Sequence, residues 1–192
     1  MTIKERILKR SEVLRDNLNY LEESIDQISF LFSQSLIRGN KLLFCGNGGS
    51  AAESQHMAAE YCATLNHNNP RKGFAAIALT TDTSFLTAWS NDFGYETIFE
   101  RQLETLGISG DILICYTTSG SSKNICLAAE KAKSMDIKVV GFTGNSDIIQ
   151  LEKFCDLIFK APTKGTALIQ EMHNVVGHEI CLKVEEIMED TA

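Results

Sequence analysis

Two short loops and two pairs of helical side chains could do chemistry in this sequence. The first loop is Cys45-Gly46-Asn47-Gly48-Gly49-Ser50. Three glycines between an apolar run and a helical stretch let a ligand approach the backbone. They also present N–H groups at a helix start. The loop is not a dinucleotide fingerprint, because Ala51 stands where G-x-G-x-x-G needs its last glycine. No Gly-Lys-Ser/Thr follows, so it is not a P-loop either. The plainer reading is a tight turn capped by Ser50. The second loop is Thr117-Thr118-Ser119-Gly120-Ser121-Ser122. Its hydroxyls, grouped around one glycine, could surround a phosphate with O–H and N–H donors and no arginine. If Ser121 or Ser122 merely capped the next helix, one or two hydroxyls would suffice.

The helical pairs are His56 with Glu60, and Gln170 with His178. His56 and Glu60 are spaced i, i+4 and share a helix face. Such a pair is most often surface pairing. Gln170 and His178 are two turns apart, about 80° around a helix axis. Their helix also carries Leu168, Ile169, Met172, Val176 and Ile180, is apolar on more than one face, and is therefore buried. A buried Gln and His need partners. His173, about 140° from His178, should face elsewhere. His67, in Asn66-His67-Asn68-Asn69-Pro70, reads as loop.

These residues must be positioned by strands and helices. Lys41–Cys45, Ala75–Leu79, Ile112–Tyr116, Lys138–Phe142 and Leu157–Phe159 read as short apolar strands. Between them lie helical stretches at 51–65, 83–106 (interrupted near Asn91-Asp92-Phe93-Gly94), 122–135 and 166–189. Alternation of this kind predicts a parallel sheet covered on both faces, with ligands beyond the strand C-termini. Both unusual loops fall there. Residues 3–38 contain no Gly or Pro, and Leu14, Leu18, Leu21, Ile25, Ile28 and Phe32 form an apolar stripe. It predicts one long helix, or two divided near Ser24, where Ser24 and Gln27 could form a capping box. The stripe would pack either on the chain's own core or on another subunit.

The 192 residues fit one domain, 1–192, with 1–38 as a helical extension of it. A hydrophobic content of 44% suffices for a core without staples. The net charge of −7 gives no general attraction to nucleic acid or anionic membrane. Positive potential for an anionic ligand must then come from backbone N–H groups. The six cysteines include no Cys-x-x-Cys pair and suit a reducing compartment. Residues 1–6 lead into an amphipathic stretch rather than a signal core. No run of about 18 apolar residues suggests a membrane span. The expected location is the cytoplasm.

Taken together, Cys45–Ser50, His56, Glu60, Asn91-Asp92-Phe93-Gly94, Thr117–Ser122, Gln170-Glu171-Met172-His173 and His178 closely resemble the bacterial phosphoheptose isomerases. The resemblance runs in register from 39 to 183. It implies the sugar-isomerase (SIS) fold, an α/β three-layer α/β/α sandwich with a central parallel sheet and an N-terminal helical extension. It implies interconversion of sedoheptulose 7-phosphate and D-glycero-D-manno-heptose 7-phosphate, for lipopolysaccharide core or capsule. It also implies a homotetramer with active sites at subunit interfaces. Thr117, Thr118, Ser119 and Ser122 would hold the phosphate. Asn47, Gly48, Gly49, Ser50, Asn91, Asp92 and Gln170 would line the sugar. Glu60 and His178 would be the acid–base pair. In several members the residues matching His56, Glu60, Gln170 and His178 hold a zinc ion, one per subunit.

The local chemistry agrees with this. Moving a proton between adjacent carbons through an enediol needs a base at carbon and a shuttle at oxygen, and a carboxylate with an imidazole supplies both. A carboxylate bound to zinc is a poorer base, although the metal could instead polarise substrate oxygens. The sequence departs from the family at two arginines. Tyr61-Cys62-Ala63-Thr64 stands where most members read Leu-x-Gly-Arg, and Leu168-Ile169 where many read Arg-Ile. Arg71 or Lys72 could compensate for one of them. The alternatives are an isomerase of another sugar phosphate, or a non-catalytic SIS-domain regulator associating with the replication initiator. Retention of Glu60 and His178 argues against the regulator.

Overall fold

A computed structural model describes residues 1–146 and 149–190. Five strands, β1 (Leu42–Gly46), β2 (Ala76–Ala78), β3 (Ile112–Tyr116), β4 (Lys138–Gly144) and β5 (Leu157–Ala161), form one parallel sheet in the order β2-β1-β3-β4-β5. β1 and β3 are neighbours, with Cys45 opposite Cys115 and Gly46 opposite Tyr116. The chain leaves β1 toward β2 on one side and β3 toward β4 on the other. The strand order therefore reverses between β1 and β3, and a crevice opens at their C-terminal ends. The glycine loop and the hydroxyl loop emerge there side by side.

The described residues include seven α-helices: α1 (Ile3–Arg15), α2 (Leu18–Ile37), α3 (Gly49–Cys62), α4 (Thr83–Phe93), α5 (Ile98–Leu106), α6 (Lys123–Ser134) and α7 (Thr166–Glu189). Side chains alternate across each strand. Phe44, Ile114, Tyr116 and Phe142 meet α2, α3 and α7 on one face. Leu43, Cys45, Leu113 and Cys115 meet α5 and α6 on the other. This is the expected three-layer α/β/α sandwich. All six cysteines are unbridged. No helix among the described residues is long and apolar enough to cross a membrane.

The N-terminal stretch breaks at Asp16 and Asn17, not near Ser24. The Asn17 amide donates to the Val13 carbonyl at 2.7 Å, a local bond that competes with helix continuation. Ser24 instead lies inside α2 and donates to the Tyr20 carbonyl at 2.8 Å. A capping box does form, but between Thr2 and Glu5. The apolar stripe lies on the chain's own core. Leu21, Ile28 and Phe32 are buried, and Ser29 of α2 donates to the Ile180 carbonyl of α7. Leu18, just after the break, is 60% exposed, and α1 buries no residue.

Candidate active site

The glycine loop joins β1 to α3. Gly48 holds φ at +57° at the helix start, a backbone state that side chains disfavour. At Gly49 a Cβ would lie 2.5 Å from the Gln170 amide nitrogen, so the glycine lets α7 lay Gln170 on the loop. Ser50 does not cap α3, because Gly48 holds the N-cap position. The Asn47 and Asn124 amides exchange two hydrogen bonds of 2.9 Å, and the Tyr95 hydroxyl donates to Asn47 Oδ1 at 2.8 Å.

The hydroxyl loop joins β3 to α6. Thr117 Oγ1 lies 3.4 Å from Ser119 Oγ and 3.2 Å from Ser122 Oγ. Ser122 occupies the N-cap of α6, yet its side chain makes no capping bond. The hydroxyls therefore point at one another around a common space rather than at the helix. That space is a cavity of about 290 Å³ lined by Asn47, Gly49, Ser50, Tyr116, Thr117, Thr118, Ser119, Ser122, Thr166 and Gln170. No lining side chain is charged. Donors for an anion come from hydroxyls, amides and the N-termini of α3 and α6.

α3 and α7 lie against each other beside this cavity. Along them the polar residues form rungs, with Gln170 on Gly49, Asn174 on Glu53 and His178 on His56. Asn174 donates to Glu53 Oε2 at 3.4 Å. His56 Nε2 and His178 Nε2 are 2.7 Å apart, with the rings nearly perpendicular at 85°. Glu60 Oε1 lies 3.6 Å from His56 Nδ1. Potential ligand atoms of His56, Glu60 and His178 all fall within 4.8 Å of one another. This donor set, two imidazoles and a carboxylate, fits zinc. Gln170, the fourth residue that the resemblance implies, lies against Gly49 at the cavity wall.

Asn91 and Asp92 end α4, exposed and bonded to each other at 2.8 Å, and do not line the cavity. His173 is buried and pairs with the Thr143 carbonyl at 3.1 Å, away from His178 as its spacing predicts. Sequence reasoning missed Glu53, Asn124, Thr166, Asn174 and Tyr95. Glu53 and Asn174 carried a usable signal, since each sits one turn from a residue already singled out. Glu53 is 7% exposed, and burial pushes its carboxyl up to about 7.

A family model described as the SIS domain matches residues 8–144. A phosphoheptose isomerase of Aneurinibacillus thermoaerophilus is 44% identical over 186 residues, 97% of this chain and 88% of that protein. One from Akkermansia muciniphila is 47% identical over 163 residues, 84% of each. The chain belongs to the phosphoheptose isomerase family. Solved phosphoheptose isomerases share its fold. That of Francisella tularensis superposes with a TM-score of 0.90 at 32% identity, covering 97% of this chain and 100% of its own. That of Neisseria gonorrhoeae gives 0.86 at 35%, covering 96% and 100%. The enzyme class is sugar-phosphate isomerase.

Proposed function

We propose that this enzyme converts sedoheptulose 7-phosphate to D-glycero-D-manno-heptose 7-phosphate in the cytoplasm, by proton transfer through an enediol. The observation that carries the reading is the hydroxyl-lined cavity beside the His56–Glu60–His178 cluster. Thr117, Thr118, Ser119 and Ser122 hold the phosphate. Asn47, Gly48, Gly49, Ser50 and Gln170 orient the sugar, whereas Asn91 and Asp92, which lie outside the cavity, would reach it only on a rearrangement of α4. Glu60 removes a proton from C1 of the ketose and returns one to C2, while His178 relays the proton from O1 to O2. His56, Glu60, His178 and Gln170 would hold zinc, which supplies a Lewis acid for the substrate's oxygens. The product feeds heptose into lipopolysaccharide or capsule.

The test is a panel of ketose phosphates incubated with the protein in deuterated water and followed by NMR. Aldose formation from the seven-carbon ketose with deuterium at C2 is expected. A different preferred ketose would favour the reading suggested by Thr64 and Leu168, which replace family arginines. Transfer without deuterium would refute the enediol.

Two further outcomes follow from the same reading. Ser119→Ala should raise KM for the sugar phosphate, because a hydrogen bond to a charged group is worth roughly 1.5–3 kcal/mol. An unchanged KM and kcat/KM would remove the loop from the phosphate site. The protein should also be a homotetramer by light scattering at micromolar concentration. Exposed Ile3, Ile7 and Leu8 on α1 and Phe93 at the end of α4 support this. A monomer reading would refute it.

A further inference from the structure

The helix that carries Glu60 ends two residues later, at Cys62. Its last turn holds no basic residue, and Ala63 leaves helical geometry. The terminal carbonyls of a helix need partners from outside it. Here they come from the segment Arg71–Phe74. The Arg71 guanidinium donates to the carbonyls of Glu60 at 3.1 Å, Tyr61 at 3.0 Å and Ala63 at 3.1 Å. The Phe74 N–H donates to the Tyr61 carbonyl at 2.9 Å. Gly73 permits this approach, since a Cβ there would fall 2.4 Å from the Cys62 carbonyl oxygen.

The same guanidinium lies 3.7 Å above the Phe74 ring and pairs through Nε with Glu185 of α7 at 2.8 Å. The Arg71 and Glu185 side chains are 10% and 7% exposed. Glu185 also accepts the Leu65 N–H at 2.9 Å and the Asn66 N–H at 3.2 Å. It stands seven residues beyond His178, two turns on and close to the same face of α7. One planar cation therefore joins the last turn of the Glu60 helix to the His178 helix. Thr64 cannot do this, as its hydroxyl only grazes Glu185 at 3.4 Å.

We infer that Arg71 is a positioning residue of this site: by tying the C-terminal turn of α3 to Glu185, it holds Glu60 in place opposite His178. The link to turnover rests on the isomerase reading; the link to backbone order does not. Removing Arg71 alone would strand the buried Glu185 carboxylate and could unfold the protein. Two variants avoid that. Arg71→Lys keeps the charge but loses the fork that reaches several carbonyls at once. Arg71→Met with Glu185→Leu removes both charges and keeps apolar volume.

The experiment measures hydrogen exchange, melting temperature, kcat and KM on the same preparations. In both variants the amides of residues 60–63 should lose protection, while those of 51–56 keep theirs. kcat should fall about ten- to a hundredfold, as small misplacements of a catalytic group do, at an unchanged KM because the phosphate loop is untouched. The double variant strands no charge, so it should still fold cooperatively, at a lower melting temperature, and still show the kcat loss per folded molecule. Unchanged protection at 60–63, or full turnover per folded molecule, would overturn the inference. Should the wild-type protein isomerise no ketose phosphate, the isomerase reading fails, and the exchange data alone decide whether Arg71 orders the turn.

Discussion

Glu60→Gln should lower kcat by about 10²–10⁴-fold, the usual contribution of a general base, with little change in melting temperature. Glutamine keeps the size of the side chain and its hydrogen-bonding capacity, so no cavity forms and no large loss of stability is expected. The Glu60 side chain is 19% exposed and, among the described residues, makes no hydrogen bond to another side chain, its approach to His56 Nδ1 being 3.6 Å. It has little structural work to lose. His178→Gln should do similar damage, because His178 faces His56 across the α3–α7 contact. The double variant should be scarcely worse than either single one, since residues acting as a unit are strongly non-additive. A purely structural role predicts the reverse: a lower melting temperature with turnover per folded molecule preserved. Metal content must be measured on each preparation, because both residues belong to the donor set that fits zinc. A fully active Glu60→Gln enzyme would rule out the carboxylate as base.

The sequence announced the sheet because a doubly covered parallel strand reads as an unbroken apolar run. Ile112–Tyr116 was legible for that reason, as was the closing helix Thr166–Glu189 from its length and apolar breadth. The two loops were legible because glycine and hydroxyl clusters at strand ends have few purely structural uses. What escaped depends on tertiary contact or on competition between nearby bonds. Glu53 reads in sequence as an exposed helical charge, and only the approach of α7 buries it beside Asn174. Asn124 gains its meaning from Asn47, which lies far away in the chain. The break at Asn17 turns on one side-chain bond to Val13, which no hydrophobic periodicity reports. Arg71 could be named as a compensating residue, but not given a task, because its partners are backbone carbonyls and a carboxylate on the last helix.

Glu53 should make the protein's stability depend on pH in a direction opposite to that of most carboxylates. Its environment is set first by burial, which raises its carboxyl from 4.5 to about 7, with the Asn174 amide opposing only weakly. No hydrogen-bond partner reaches Oε1, and no cation faces the group among the described residues. The folded protein therefore holds this proton more tightly than the unfolded chain does. The associated stability is fully present below about pH 4.5 and is lost as pH rises through about 7. A shift of that size corresponds to about 3 kcal/mol at high pH. Glu53→Gln carries no titrating group, so the difference in stability between variant and wild type should grow in favour of glutamine by that amount between about pH 4 and about 8.5. Chemical denaturation at each pH measures it. A chelator should be present, so that no cation at His56 and His178 eases ionisation of Glu53 one turn away. A difference that stays constant across the window would mean that Glu53 is ionised throughout and has a partner that offsets its burial.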